Sequence, residues 1–393
     1  MPASSEEIQQ IKRRFVEIFG EGPGKMHVVR APGRVNLIGE HTDYNEGFVC
    51  PMAIEPEVRI VCRSRDDGMV RLGSDAFPGE IAQFSTSQKI TPGNPKWANY
   101  SKGVVAEMLA AGIPLPGMDA LIVNTLPVGG GLSSSAAIEV GTAQALLALA
   151  GLTMDPSRVA LLCQKAEHEY AGVPVGIMDQ TAVASGKPGH AMLLDCRDLS
   201  KQFVPLDPEE LRVVIVNSMV KHELTGGEYA QRRAQCEEGV RFFQREHPSV
   251  KALRDVTLPM LEAAKGKLHD LVWRRCRHVV TENARTMTAA AKIGAKHYEE
   301  AGELMKQSHA SLRDDYQVSI EELDFLSDEA SKVKGVYGAR MTGGGFGGCI
   351  VALAQPRSVE PLKQHITKVY QDKFKITPTA FATTATAGAS VIE

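Results

Sequence analysis

The chain has 393 residues, 43% hydrophobic and 23% charged, with a net charge of −3. That length allows two or three domains with substantial cores. The near-neutral balance gives no footing for nucleic acid or an anionic membrane as a partner, and the longest apolar run, 143–152 with one Gln, is too short to span a bilayer.

Seven scattered cysteines, none at zinc or redox spacing, argue against a disulfide framework. The segment Met1-Pro-Ala-Ser-Ser-Glu-Glu lacks a signal peptide's apolar core. A reduced, cytoplasmic protein is expected and, with no dimer signature, a monomer.

In chain order, Ile8, Ile11, Phe15 and Ile18 recur at helical spacing behind the candidate caps Ser4 and Ser5, and Gly20 closes that helix. A strand over 27–30 enters Ala31-Pro-Gly-Arg-Val-Asn-Leu-Ile-Gly-Glu-His-Thr-Asp-Tyr44, whose charged residues crowd one loop. Strands follow over 48–54 and 57–63, and Asp66-Asp67-Gly68 reads as a hairpin turn into 69–72. Pro78, Pro92 and Pro95 mark an irregular connection before a helix over 97–111. The apolar run 120–123 reads as a buried strand. It enters Thr125-Leu-Pro-Val-Gly-Gly-Gly-Leu-Ser-Ser-Ser-Ala-Ala137, and an Ala- and Leu-rich helix runs from 136 to 152.

A second helix over 156–170 ends at Gly172, and Val173-Pro-Val-Gly-Ile-Met-Asp-Gln180 reads as a loop. Strands over 191–195 and 213–217 flank the polar segment 201–210, where the boundary is placed, giving domains 1–207 and 208–393. The second half is helix-rich, over 229–246, 260–265, 270–290, 298–311 and 320–332. Met341-Thr-Gly-Gly-Gly-Phe-Gly-Gly-Cys-Ile-Val-Ala352 is a second glycine loop feeding a strand, and an amphipathic helix covers 358–373. Strands and helices mix without strict alternation, so two α+β domains are expected.

Strand, glycine loop and helix start together present backbone N–H groups to an anion. Gly129, Gly130 and Gly131 permit close approach. Ser133 can cap the helix, or the serines can offer hydroxyls to phosphate or metal. The stretch is not a Walker A loop, having no Gly-Lys-Ser/Thr, nor a dinucleotide fingerprint; a plain turn with a serine cap is the alternative.

Arg34, Glu40, His41 and Asp43 can converge on a polyhydroxylated ligand, or form a surface loop with a local ion pair. Asp179, following Ile177 and Met178, is a partly desolvated carboxylate in need of a partner, and Arg34 is a candidate. Trp97 and Tyr100 share a helical face, as core or as a surface for a purine ring. In isolation Glu167 and His168 read as solvated, and Arg274, Arg275, Arg277 and His278 as a solvated basic face.

Together, 31–44, 127–137 and 341–348 resemble the three motifs of the GHMP kinases, named for galacto-, homoserine, mevalonate and phosphomevalonate kinases. The first stretch is similar to the galactokinase signature, since relatives acting on mevalonate or homoserine lack its Glu-His-Thr-Asp. Gly176-Ile-Met-Asp-Gln180 and Trp97-Ala-Asn-Tyr100 match as well. The resemblance implies an N-terminal α+β domain and a ferredoxin-like C-terminal α+β domain, with the active site in the cleft between them. It implies transfer of the ATP γ-phosphate to the anomeric hydroxyl of galactose, the first committed step of galactose catabolism.

By the same resemblance, Gly129, Gly131, Ser133 and Ser134 would cradle the nucleotide phosphates, and Trp97 and Tyr100 would lie by the adenine. Ser135 and Glu167 would sit near Mg²⁺. Arg34, Glu40, His41, Asp43, Asp179 and Tyr229 would hold the sugar. Arg34 would bridge the transferring phosphoryl group and Asp179, which acts as base or as orienting group. Two other readings stay open. An N-acetylgalactosamine kinase tends to carry Ile in place of Thr42 and a glycine-richer approach to the acid. A non-catalytic galactose and ATP sensor lacks the Ser-Ala pair present here as Ser135-Ala136.

Overall fold

The computed structural model describes residues 4–127, 129–221 and 227–393; residues 1–3 of the polar N-terminal segment and Val128 of the glycine stretch lie outside them. The first helix spans Ser5–Phe19. Ser4 Oγ accepts from Glu7 N–H at 3.2 Å and Glu7 Oε2 accepts from Ser4 N–H at 2.8 Å, a reciprocal cap. Its apolar stripe, Ile11, Phe15 and Phe19, buries against Val28, Val61 and Leu121 of the first sheet.

That sheet has six strands in the order Ser390–Val391, His27–Asn36, Pro51–Arg65, Gly117–Asn124, Met69–Ser74, Ile81–Ser85. The expected hairpin at Asp66-Asp67-Gly68 is not one. Gly117–Asn124 inserts between the strands that turn joins, antiparallel to Pro51–Arg65 and parallel to Met69–Ser74. Burial is the reason: residues 117–122 are buried without alternation, so that strand takes the interior of the sheet. The two strands expected over 48–54 and 57–63 are largely one, Pro51–Arg65, and Ile81–Ser85, expected to be irregular, pairs with Met69–Ser74 as an edge.

The helix Ser134–Ala150 packs across this sheet, with Gly141 at the closest point. A Cβ there would stand 3.1 Å from Ile60 Cδ1 and 3.2 Å from Ala31 Cβ.

The second sheet is antiparallel, in the order Val336–Thr342, Gly347–Ala354, Arg212–Lys221, Thr379–Thr383. The helices Tyr298–Ser311, Glu321–Lys332 and Val359–Phe374 pack on it. This is the two-part α+β architecture expected, with the ferredoxin-like part second. Gly302 and Gly338 let helix and strand touch: a Cβ on Gly302 would stand 2.1 Å from Tyr337 O.

A third, three-stranded sheet joins Phe48–Val49, His190–Asp195 and Lys201–Pro205, so the polar segment 201–210 opens as a strand. Residue 207 falls in the short connection to Arg212–Lys221. One core crosses that point, uniting Val213, Ile215 and Val351 with Val29, Ile54 and Val140.

The basic run is not a solvated face. Arg275 and His278 are 1% and 0% exposed. Arg275 donates to Gln235 Oε1, Asp315 O and Gln317 Oε1, because the helix Asp270–Gly294 is covered there by Glu228–Gln244 and the turn Leu312–Tyr316.

Candidate active site

The stretch 31–44 is not a single loop. Its first part continues the strand His27–Asn36, with a register shift between Pro32 and Arg34. Gly33 makes the shift possible, since a Cβ there would meet Leu126 Cδ2 at 2.3 Å and Leu132 O at 2.8 Å. The irregularity sets Arg34 against the glycine stretch. Its backbone N–H donates to Leu132 O at 3.2 Å and its Nη1 to Gly131 O at 2.7 Å. Further on, His41 adopts a left-handed backbone, φ 64°, which costs a non-glycine residue about 1–3 kcal/mol. Asn45 Nδ2 secures it by donating to His41 O at 2.9 Å.

Asp179, expected in a loop, lies in the first turn of the helix Met178–Ser185, where the helix dipole favours a carboxylate. Arg34 Nε donates to Asp179 Oδ1 at 2.8 Å and Nη2 to Oδ2 at 2.7 Å, a fork-to-fork pair. Ser133 Oγ also donates to Asp179 Oδ2. Ser133 therefore does not cap the helix Ser134–Ala150: its φ of 61° and ψ of 47° turn the hydroxyl away from the helix amides.

Arg34, Glu40, His41, Asp43, Asp179 and Tyr229 line one cavity of about 400 Å³, together with residues 129–135. Glu40, 1% exposed, is held hard. Arg340 Nη1 donates to it at 3.2 Å, Gly343 N–H at 2.6 Å, and Asn36 Nδ2 as well, with Thr342 Oγ1 3.0 Å away. At most one acceptor position faces the cavity. Asp43 is pushed up to about 7 by burial and by the Asp179 charge. Gly176 closes over it: a Cβ there would fall 1.9 Å from Asp43 Oδ2.

Glu167 is buried, 4% exposed, in the turn that ends the helix Pro156–Ala166; the solvated reading fails because the helix Met178–Ser185 packs over it. Gln180 Nε2 donates to Glu167 Oε2 at 2.7 Å and to Glu139 Oε2 at 3.0 Å. Burial and the Asp179 charge push Glu167 up to about 7, and burial beside Glu167 raises Glu139 well above the usual carboxylate range. Glu139 Oε1 is buried with no hydrogen-bond partner. Crowded acids with an orphaned oxygen suit a nearby cation.

The Ser135 hydroxyl and the Glu167 carboxylate are hard oxygen donors of the kind Mg²⁺ takes. Among the described residues no group of three or more His, Cys, Asp or Glu could hold a metal ion; an ion between this hydroxyl and this carboxylate would need phosphate and water oxygens to complete its shell. His168, also expected in solvent, meets Val175 O at 2.7 Å and ties down the loop before Asp179.

Trp97 and Tyr100 do not line this cavity. Trp97 lies in the tight turn Lys96–Ala98, ahead of the helix Asn99–Ala110. Its ring stacks on Phe77 with centroids 5.8 Å apart, and its Nε1 donates to Glu80 Oε2 at 3.0 Å. Tyr100 is raised in pKa by burial and by Glu167 and Glu139.

Three family models match in order: the galactokinase galactose-binding signature over 13–64, the GHMP kinases N terminal domain over 99–187 and the GHMP kinases C terminal domain over 288–372. Along its full length the chain is 46% identical to the galactokinases of Bos taurus and Homo sapiens, covering 98% of each. The chain belongs to the galactokinase family. The galactokinase of Lactococcus lactis, solved in complex with galactose, aligns at a TM-score of 0.92 and 34% identity, over 98% of this chain and 99% of that one. A mevalonate kinase of Methanococcus jannaschii, at 0.64 and 19%, shares the fold.

Within this galactokinase-family chain, sequence reasoning passed over the residues that hold the named ones. Arg340 stands directly before the Met341 stretch, and Tyr44 ends the first, so both were in view as neighbours. Tyr316, Glu282 and Glu139 carried no signal, since only folding brings them near.

Proposed function

We propose that this chain transfers the γ-phosphoryl group of ATP to the anomeric hydroxyl of galactose, giving α-galactose 1-phosphate and ADP. The observation that carries the reading is the forked Arg34–Asp179 pair, which joins the glycine stretch to a cavity lined by Glu40, His41 and Asp43.

Three donors occupy Asp179, leaving about one acceptor position. A sugar hydroxyl there, at about 2.6–3.2 Å, can pass its proton to the carboxylate as its oxygen attacks the γ-phosphorus and ADP departs. Arg34 stays cationic and balances charge on the phosphoryl oxygens.

Gly129, Gly131, Ser133 and Ser134, at the positive end of the helix Ser134–Ala150, take the nucleotide phosphates. The single hydroxyl hydrogen of Ser133 is held by Asp179, so that hydroxyl reaches a phosphate only by giving up this bond. Ser135 and Glu167 would hold Mg²⁺, which when bound would supply further neutralisation of phosphate charge. His41, Asp43, Tyr229 and the remaining position on Glu40 orient the sugar. In this reading Trp97, whose half-buried ring stacks on Phe77, and Tyr100 lie by the adenine.

The division into 1–207 and 208–393 is part of this reading, as are a monomeric state and a cytoplasmic location. All seven cysteines are free and buried, and among the described residues no helix is long and apolar enough to cross a membrane.

A panel of hexoses and amino sugars with ATP and Mg²⁺, read as phosphorylated product, tests the function. Galactose is expected to be the preferred acceptor. Faster turnover of N-acetylgalactosamine would transfer the assignment to that sugar. Tight binding of galactose and ATP with no ADP released would make the chain a sensor.

A further inference from the structure

Three elements bring their side chains together behind the glycine stretch. Glu139 lies on the helix Ser134–Ala150, one turn past Ser135 and on the same face. Glu167 opens the turn Glu167–Ala171, which is wound wider than an α-helix, with Gly172 N–H donating to Glu167 O at 3.0 Å. Such turns recur at functional positions. Gln180 follows Asp179 in the first turn of the helix Met178–Ser185. Glu139 and Gln180 are 0% exposed.

The amide of Gln180 bridges the two acids. Its nitrogen carries two hydrogens. One goes to Glu167 Oε2 at 2.7 Å and the other to Glu139 Oε2 at 3.0 Å. Gln180 Oε1 is buried with no hydrogen-bond partner among the described residues. A glutamine that served packing alone would gain by bonding both ends; this one is set for its donor end. The cation of the cavity, Arg34, is committed to Asp179 and Gly131 O, so it is a neutral amide that holds Glu167. The grip fixes the rotation of the carboxylate: one oxygen is tied, and the Ser135 hydroxyl stands beside the group.

We infer that Gln180 is a positioning residue, which holds the Glu167 carboxylate in the orientation that takes Mg²⁺ together with Ser135. The inference rests on reading Ser135 and Glu167 as the Mg²⁺ side chains. Asp179 and Gln180 are successive residues of one helix turn. The same piece of backbone therefore sets the acid that meets the sugar hydroxyl and the amide that aims the cation's carboxylate, and the two stay in register.

Calorimetry of ADP binding to the full chain, with Mg²⁺ and in EDTA, isolates the cation's share of the affinity. The native chain is expected to bind ADP more tightly with Mg²⁺. In Gln180→Met that gain should fall about tenfold or more, with affinity for ADP in EDTA and for galactose held. Gln180→Asn keeps the amide but falls a methylene short; it should lower the gain too, and serves if the Met variant does not fold. Glu167→Gln should lose at least as much, and adding Gln180→Met to it should cost nothing further, because Gln180 acts through Glu167. An unchanged gain in the Gln180 variants, an equal loss for ADP in EDTA, or a further loss in the double variant overturns the inference alone. If the native chain shows no gain, or Glu167→Gln keeps it, the Mg²⁺ assignment fails and takes the inference with it.

Discussion

Arg34 and Asp179 form the pair on which turnover should depend most. Asp179→Asn keeps the shape and removes the proton acceptor. It is expected to lower kcat by about 10²–10⁴-fold with KM for galactose little changed. Near-normal kcat in steady-state assays would leave Asp179 an orienting group only. For Arg34→Ala a fall of about 10²-fold or more is expected, and an effect confined to KM for galactose would contradict the electrostatic role.

Asp43 makes a pH-dependent prediction. Its folded pKa, about 7, lies above its ordinary value of 3.8, so the folded chain keeps a proton that the unfolded chain releases. The stability this lends is complete below about pH 3.8 and is lost as pH rises through 7. Asp43→Asn cannot ionise, so its melting temperature relative to native should climb from pH 4 to pH 8. A constant difference across that range would refute the shift. The acid-rich, arginine-bearing character of the 31–44 stretch was readable as a list of residues. The proton on Asp43 was not, because it depends on Asp179 and on burial, which only folding supplies.

The elements whose signals are local were legible. Ser4 and Gly20 bracket the first helix as their chemistry demands, and the glycine stretch leads from a buried strand into the helix Ser134–Ala150. Elements defined by partners were not. Asp66-Asp67-Gly68 has every local mark of a hairpin, yet the strand Gly117–Asn124 separates the two arms, since pairing follows burial across the sheet. Short runs such as 81–85 and 178–185 are too brief for a period to show.

Close packing between elements yields a further test. Gly302 brings its helix against the strand Val336–Thr342, and a Cβ would stand 2.1 Å from a backbone oxygen that no rotamer can move. Gly302→Ala should lose about 1–3 kcal/mol in urea unfolding. Wild-type stability in that variant would mean the helix shifts freely on the sheet.

Across the whole molecule, the cavity wall around Glu40 is assembled from both halves of the chain. Arg340, 0% exposed, donates to Glu40, to Asn36 O and to Ser308, while Glu282 accepts from Gly39 N–H at 3.1 Å. Arg340→Met would leave Glu40 buried without its cation. A loss of about 3–5 kcal/mol is expected, with a raised KM for galactose, measured by unfolding and kinetics; a loss below about 1 kcal/mol would show the pair to be dispensable.

By itself the sequence determined the class of fold and the residue types on which the proposed phosphate and sugar sites draw, because each is written in short windows where glycine, serine and charge act locally. Only the tertiary structure decided which of those residues meet. The forked Arg34–Asp179 pair, the grip of Arg340 on Glu40 and the Tyr44–Tyr316 hydrogen bond behind His41 join positions 145, 300 and 272 residues apart. At such separations chain spacing places no constraint on distance, and hydrogen bonding and burial in the folded core do.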